Sequence, residues 1–132
     1  MHDLVAEGYT AANVSSIANA TTNAFMQNGS MNSSDLKCMM DNGYNHYISR
    51  GSHSSNKIDP NVCGNLINAE NVGMPHRDVY LEPCGTCSTG DMDNQLNDLI
   101  WHLEQNCSSA WNRFIWINVN YSAWWTNGDS TN

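Results

Sequence analysis

The 132-residue sequence predicts an α/β fold of parallel β/α units, and three observations carry that expectation. Short apolar runs alternate with amphipathic ones in the order β-α-β-α-β-α-β. The amphipathic segments are punctuated by capping residues at their starts and glycines at their ends. Successive apolar runs are separated by single helical segments, which calls for a parallel sheet with right-handed crossovers.

Each element has its own signal. Ala11-Ala12-Asn13-Val14 is a weak first strand, and residues 15–34 form a polar insertion rich in Asn, Ser and Thr with no assignable structure. Residues 35–42 look helical, capped by Ser34 and stopped by Gly43. His46-Tyr47-Ile48-Ser49 is the second strand. Asp59-Pro60 opens a second helix, with Leu66, Ile67 and Ala69 as its buried face and Gly73 at its end. Asp78-Val79-Tyr80-Leu81 is the third strand, so Asp78 stands at the end away from function. Met92, Leu96, Leu99, Ile100 and Leu103 recur at helical spacing, with Trp101 and Trp111 fitting helix and turn packing. Residues 114–119 form the fourth strand. Four such strands make a partial TIM-like barrel: one α/β domain over residues 1–132, incomplete on its C-terminal side, with open sheet edges that self-association or further sequence would cover. Function in such sheets gathers at the C-terminal strand ends: here Asn13, residues 50–53, residues 82–84 and residues 118–121.

Composition narrows the partners. With Lys+Arg 5 against Asp+Glu 13 the formal charge is -8, which argues against a nucleic-acid backbone. There is no run of about 20 apolar residues to span a membrane. Asn fills 20 positions, and six of these open an Asn-X-Ser/Thr triplet: Asn13, Asn19, Asn28, Asn32, Asn106 and Asn120. Together with five cysteines, the sequons point to a secreted glycoprotein, although the N-terminus shows no leader pattern.

The run Cys38, Asn42-Gly43-Tyr44, Arg50-Gly51, Asp59-Pro60-Asn61-Val62-Cys63, Asn65-Leu66-Ile67-Asn68-Ala69, Arg77-Asp78-Val79-Tyr80-Leu81, Pro83-Cys84-Gly85-Thr86-Cys87 and Trp116 resembles the protist and invertebrate branch of glycoside hydrolase family 25, the lysozyme-like muramidases. The resemblance covers residues 11–126 and implies the first half of a (β/α) barrel. It also implies an acid at the end of the first strand, matched by Asn13, and an Asp-X-Glu after the fourth, matched by Asn118-Val119-Asn120. In the family the Glu protonates the leaving oxygen and the Asp orients the substrate's acetamido group. All three positions here are amides, which neither lose nor donate a catalytic proton near neutral pH. A glycan on Asn13 or Asn120 would also fill the cleft.

The remaining chemistry has plainer readings beside the functional ones. Glu82 is either a relocated acid or an exposed loop residue. Arg50 could bind an acidic sugar or pair with Asp59. His53 lines a groove or is simply solvated. Trp124 and Trp125 follow the fourth strand, where aromatics stack on sugar rings or fill a barrel. Cys84 and Cys87 have redox spacing but read as a local disulfide, and chain order suggests that Cys38 and Cys63 clip the first two helices together, leaving Cys107 over. The histidines form no cluster with cysteines, so neither a metal nor another cofactor is implied. The expectation is a secreted, glycosylated lysozyme-like domain that has lost hydrolysis and keeps a structural or carbohydrate-binding role. The alternatives are an active muramidase cleaving peptidoglycan and a small lectin-like module using Arg50, Trp124 and Trp125.

Overall fold

A computed structural model describes residues 22–55, 57–84 and 92–119. In chain order the elements are β1 (Ala24–Gln27), α1 (Ser33–Asp41), β2 (His46–His53), β3 (Lys57–Ile58), α2 (Val62–Asn71), β4 (His76–Leu81), α3 (Met92–Asn106) and β5 (Ile115–Ile117). The sheet runs β1-β2-β4-β5, each neighbouring pair parallel, and the two-residue β3 folds back antiparallel on the end of β2. Sequential parallel strands joined by single helices are the first half of a barrel in plan, with every C-terminal strand end on one side. No helix among the described residues is long and apolar enough to cross a membrane.

Alternation within the strands decides which residues meet the helices. Val79 and Leu81 of β4, with Ile115 and Ile117 of β5, pack against Val62 and Leu66 of α2 and Leu99 and Leu103 of α3. Phe25 of β1 and Tyr47 of β2 pack with Leu36, Met39 and Met40 of α1 and Ala69 of α2. Burying side chains of this size contributes about 1.5–3 kcal/mol each, so these two clusters hold the helical layer to the sheet. The opposite, helix-free face is left to Met26, His46, Ile48, Arg50, Asp78, Tyr80 and Trp116. At Gly51 the β2–β4 register shifts between Arg50 and Ser52, and an added Cβ there would stand 2.9 Å from both methyls of Leu99. The absence of a side chain at Gly51 therefore leaves room for Leu99 of α3 against β2.

Several sequence expectations change. The strand expected at residues 11–14 lies outside the described residues, while β1 falls inside the stretch left unassigned. Phe25 and Gln27 share the helix-facing side of that short strand, so it carries a single apolar residue there and almost no apolar signal. Asn32, not Ser34, caps α1: its side chain accepts from the Asp35 amide at 2.8 Å. Helix α2 begins at Val62, after a turn in which Asp59 accepts from the Asn61 amide. Gly43 and Gly73 do end their helices, at φ 92° and 84°, a region costly for residues with a Cβ. Ile67 and Trp101 are exposed, Trp101 at 65%. Ile67 lies about 100° around its helix from buried Leu66 and Trp101 about 200° from buried Leu99, which turns each toward solvent.

The disulfide also differs from expectation. Cys63 pairs with Cys107, their Cα atoms 5.5 Å apart, whereas Cys38 is free and exposed. Cys38 sits two residues from buried Leu36, about 200° around α1, and so points away from α2. The bridge instead joins the start of α2 to the residue after α3, neighbours over the same cluster. Cys84 is buried and disulfide-bonded; Cys87, its expected partner, lies outside the described residues.

Candidate functional site

The C-terminal ends of the parallel strands bring together Gln27, Arg50, His53, Tyr80, Glu82 and Asn118. Register places them: Gln27 stands beside Ser49 on β2, Arg50 beside Tyr80, Tyr80 beside Trp116, and Leu81 beside Ile117. Glu82 donates its amide to the Ser52 carbonyl at 3.0 Å, and Asn118 donates its own to the Leu81 carbonyl at 2.9 Å. Glu82 and Asn118 thus stand one step past the last strand pairs, above the paired layer of Arg50, Tyr80 and Trp116.

Arg50 is the electrostatic centre of this rim. Its Nε donates to Asp59 Oδ2 at 2.7 Å, and Asp59 is almost fully buried. Burial works against the Arg50 charge, but the bond and charge of Asp59 outweigh it and raise the guanidinium pKa. The structural pairing foreseen for Arg50 is therefore made, and it partly neutralises the charge that an acidic sugar would seek. Tyr80 is pushed up by burial and then by the negative charge of Glu82. Lys57, exposed on β3 opposite His53, adds a second cation. The rim accordingly combines two basic side chains with two carboxylates around aromatic and amide groups, a surface rich in hydrogen-bonding groups and without a strong net charge.

Beneath the rim, Asp78 is a centre the sequence placed at the inactive strand end. It is 3% exposed and lies on the helix-free face within β4. Its Oδ2 meets His46 Nε2 at 2.5 Å and accepts from Trp116 Nε1 at 3.1 Å. One carboxylate thereby ties β2, β4 and β5 together through their side chains and fixes the Trp116 ring. Among the described residues no group of three His, Cys, Asp or Glu is placed to hold a metal.

The positioning roles of three further residues escaped the sequence reading. Asn65 of α2 accepts from the Met31 amide at 2.8 Å and donates to the Gly29 carbonyl at 2.8 Å and the Ser49 hydroxyl at 3.2 Å. Asn68 adds a bond to the Met31 carbonyl at 2.9 Å. Together they fix the loop that leaves β1 at the rim. Gln95 of α3 brackets Cys84, accepting from its amide at 2.8 Å and donating to its carbonyl at 3.3 Å, which fixes the exit of β4. The signal for Asn65 and Gln95 was a polar residue on an apolar helical face. Asn13, Asn19, Asn120, Cys87, Trp124 and Trp125 lie outside the described residues; Asn28, Asn32 and Asn106 are exposed and Asn118 is partly buried.

With this half-barrel geometry in place, comparison with known proteins decides the family: a family model described as lysozyme-like protein 1 matches residues 16–132. The chain belongs to the lysozyme-like protein 1 family. This lysozyme-like chain is 29% identical over 93 residues to probable GH family 25 lysozyme 4 of Dictyostelium discoideum, covering 68% of the chain and 40% of that protein. It is 28% identical over 89 residues to probable GH family 25 lysozyme 2 and 30% identical over 88 residues to probable GH family 25 lysozyme 5 of the same organism, covering 67% of the chain each time and 40% and 39% of those proteins. The lysozyme-like chain thus spans about two fifths of the length of the curated relatives it matches. No solved structure matches it. The family match begins after Asn13.

Proposed function

We propose that this lysozyme-like domain binds carbohydrate at the C-terminal ends of its strands without hydrolysing it, and that it works in an oxidising, extracellular setting. The observation that carries this reading is Asn118 at the end of β5, beside the aromatic and charged rim, where the family resemblance calls for an acid. The resemblance calls for another acid at the end of the first strand, and we assign that position to the end of β1 rather than to Asn13. Strand β1 directly precedes α1, pairs in parallel with β2, and falls within the family match as Asn13 does not. It ends in Met26-Gln27, neither of which ionises. General acid catalysis accounts for about 10² to 10⁴ in rate, and by the resemblance the acid's own position is Asn120, an amide that cannot supply the proton. An Asn keeps the hydrogen-bonding capacity of an Asp, so recognition of sugar hydroxyls survives the loss of chemistry. The Cys63–Cys107 bridge and six sequons support the extracellular assignment.

The test is to incubate the purified protein with insoluble peptidoglycan and with chitin, measuring protein retained on the polysaccharide and reducing ends released. Retention without release is expected. Reducing ends above the protein-free control would overturn the reading in favour of an active muramidase. A mass spectrum of the peptide covering residues 114–132 checks that Asn118 and Asn120 are amides and reads any glycan on Asn120.

A further inference from the structure

The geometry points to Asn28 as a glycan acceptor whose sugar stands at the mouth of the strand ends and competes with bound carbohydrate. Among the described residues three asparagines open a sequon, and their side chains are not equivalent. The Asn32 side chain is committed to capping α1. The Asn106 amide nitrogen is turned into the last turn of α3, donating to the His102 carbonyl at 2.8 Å. Asn28 is exposed and its side chain makes no hydrogen bond among the described residues. It directly follows Gln27, the last residue of β1, and so sits one step along from the Gln27–Ser49 pair, in line with Arg50. The loop it starts is not loose: Asn65 and Asn68 hold Gly29 and Met31 from the helical side. A sugar on Asn28 is thus projected from a fixed backbone position beside the Arg50, Tyr80 and Trp116 layer.

In the modification, Asn28 Nδ2 attacks the anomeric carbon of a polyprenyl-pyrophosphate-linked oligosaccharide. The new C–N bond replaces the C–O bond to pyrophosphate, which leaves with the electron pair, and the amide yields one proton to the transferase. The glycan claim stands by itself, while the competition it causes rests on the sugar-binding reading above.

The experiment uses the full chain secreted from a eukaryotic host. Peptide mass mapping before and after amidase deglycosylation is expected to find the Asn28 peptide carrying hexose and N-acetylhexosamine mass, and Asn28→Gln and Ser30→Ala each to remove one glycan. Chitotetraose, titrated by calorimetry, is expected to bind the wild-type protein several-fold more weakly than either variant. An unmodified Asn28 peptide overturns the acceptor assignment. A glycan on Asn28 with equal chitotetraose affinity in all three proteins overturns the competition. Absence of chitotetraose binding in every form overturns the sugar-binding reading and the competition with it, leaving the glycan result to stand.

Discussion

Asparagine has a structural use in this chain that its abundance alone hides. Asn32 caps the start of α1, Asn42 and Asn106 return their amides to carbonyls four residues back at helix ends, and Asn112 accepts from the Arg77 amide. These side chains mimic backbone groups where the backbone ladder stops. Asn65 is the most committed of them, because it is 3% exposed and bonds two main-chain atoms of the loop after β1 as well as the Ser49 hydroxyl. Asn65→Ala would leave the Met31 amide and the Gly29 carbonyl unpaired in a buried setting, where each such group costs about 1–3 kcal/mol. Chemical denaturation is expected to show a loss of about 2 kcal/mol or more, and stability unchanged by the substitution would refute the clamp. At the same scale, the sequence identified Arg50 and Glu82 as rim residues from their positions after strands. It missed Asn65 and Gln95, because a polar residue on a buried face announces a partner without saying which.

At the level of elements, α2 and α3 form one layer, and the Cys63–Cys107 bridge closes a separation of 44 residues across it. A loop of that size gives about 2–4 kcal/mol on removal of the cross-link. The double variant Cys63→Ser with Cys107→Ser is therefore expected to unfold at clearly lower denaturant concentration. In the unreduced protein, Cys38 is expected to take up iodoacetamide, and a wild-type protein in which Cys63 alkylates instead would refute the pairing. Strands β2, β4 and β5 and helices α2 and α3 were legible because they repeat apolar residues at their own periods. Strand β1 was not, since one inward-facing Phe25 in a polar neighbourhood gives no period to read. The wrong cysteine pairing has a related cause: chain order says which helices are neighbours but not how each is rotated.

For the whole molecule, the sheet's two faces set the pH response. Burial pushes the Tyr47 hydroxyl up to about 12, with the charge of Asp59 adding to it. A raised folded-state pKa means that the native state prefers the neutral phenol. That preference stabilises fully below the usual value of 10.0 and is lost as pH rises through about 12. Melting temperatures measured across this window are expected to fall steeply for the wild type and less so for Tyr47→Phe; equal slopes would refute the assignment. The sequence by itself determined that this is a parallel α/β domain of lysozyme-like type with amides after its last described strand, because strand period, helix period and residue identity are all local properties. Only the tertiary structure decided where the first described strand runs, which cysteines join, that Asp78 lies inside the helix-free face against His46 and Trp116, and that Asn65 anchors the rim. Those depend on helix rotation and strand register, which set distances between residues far apart in the chain.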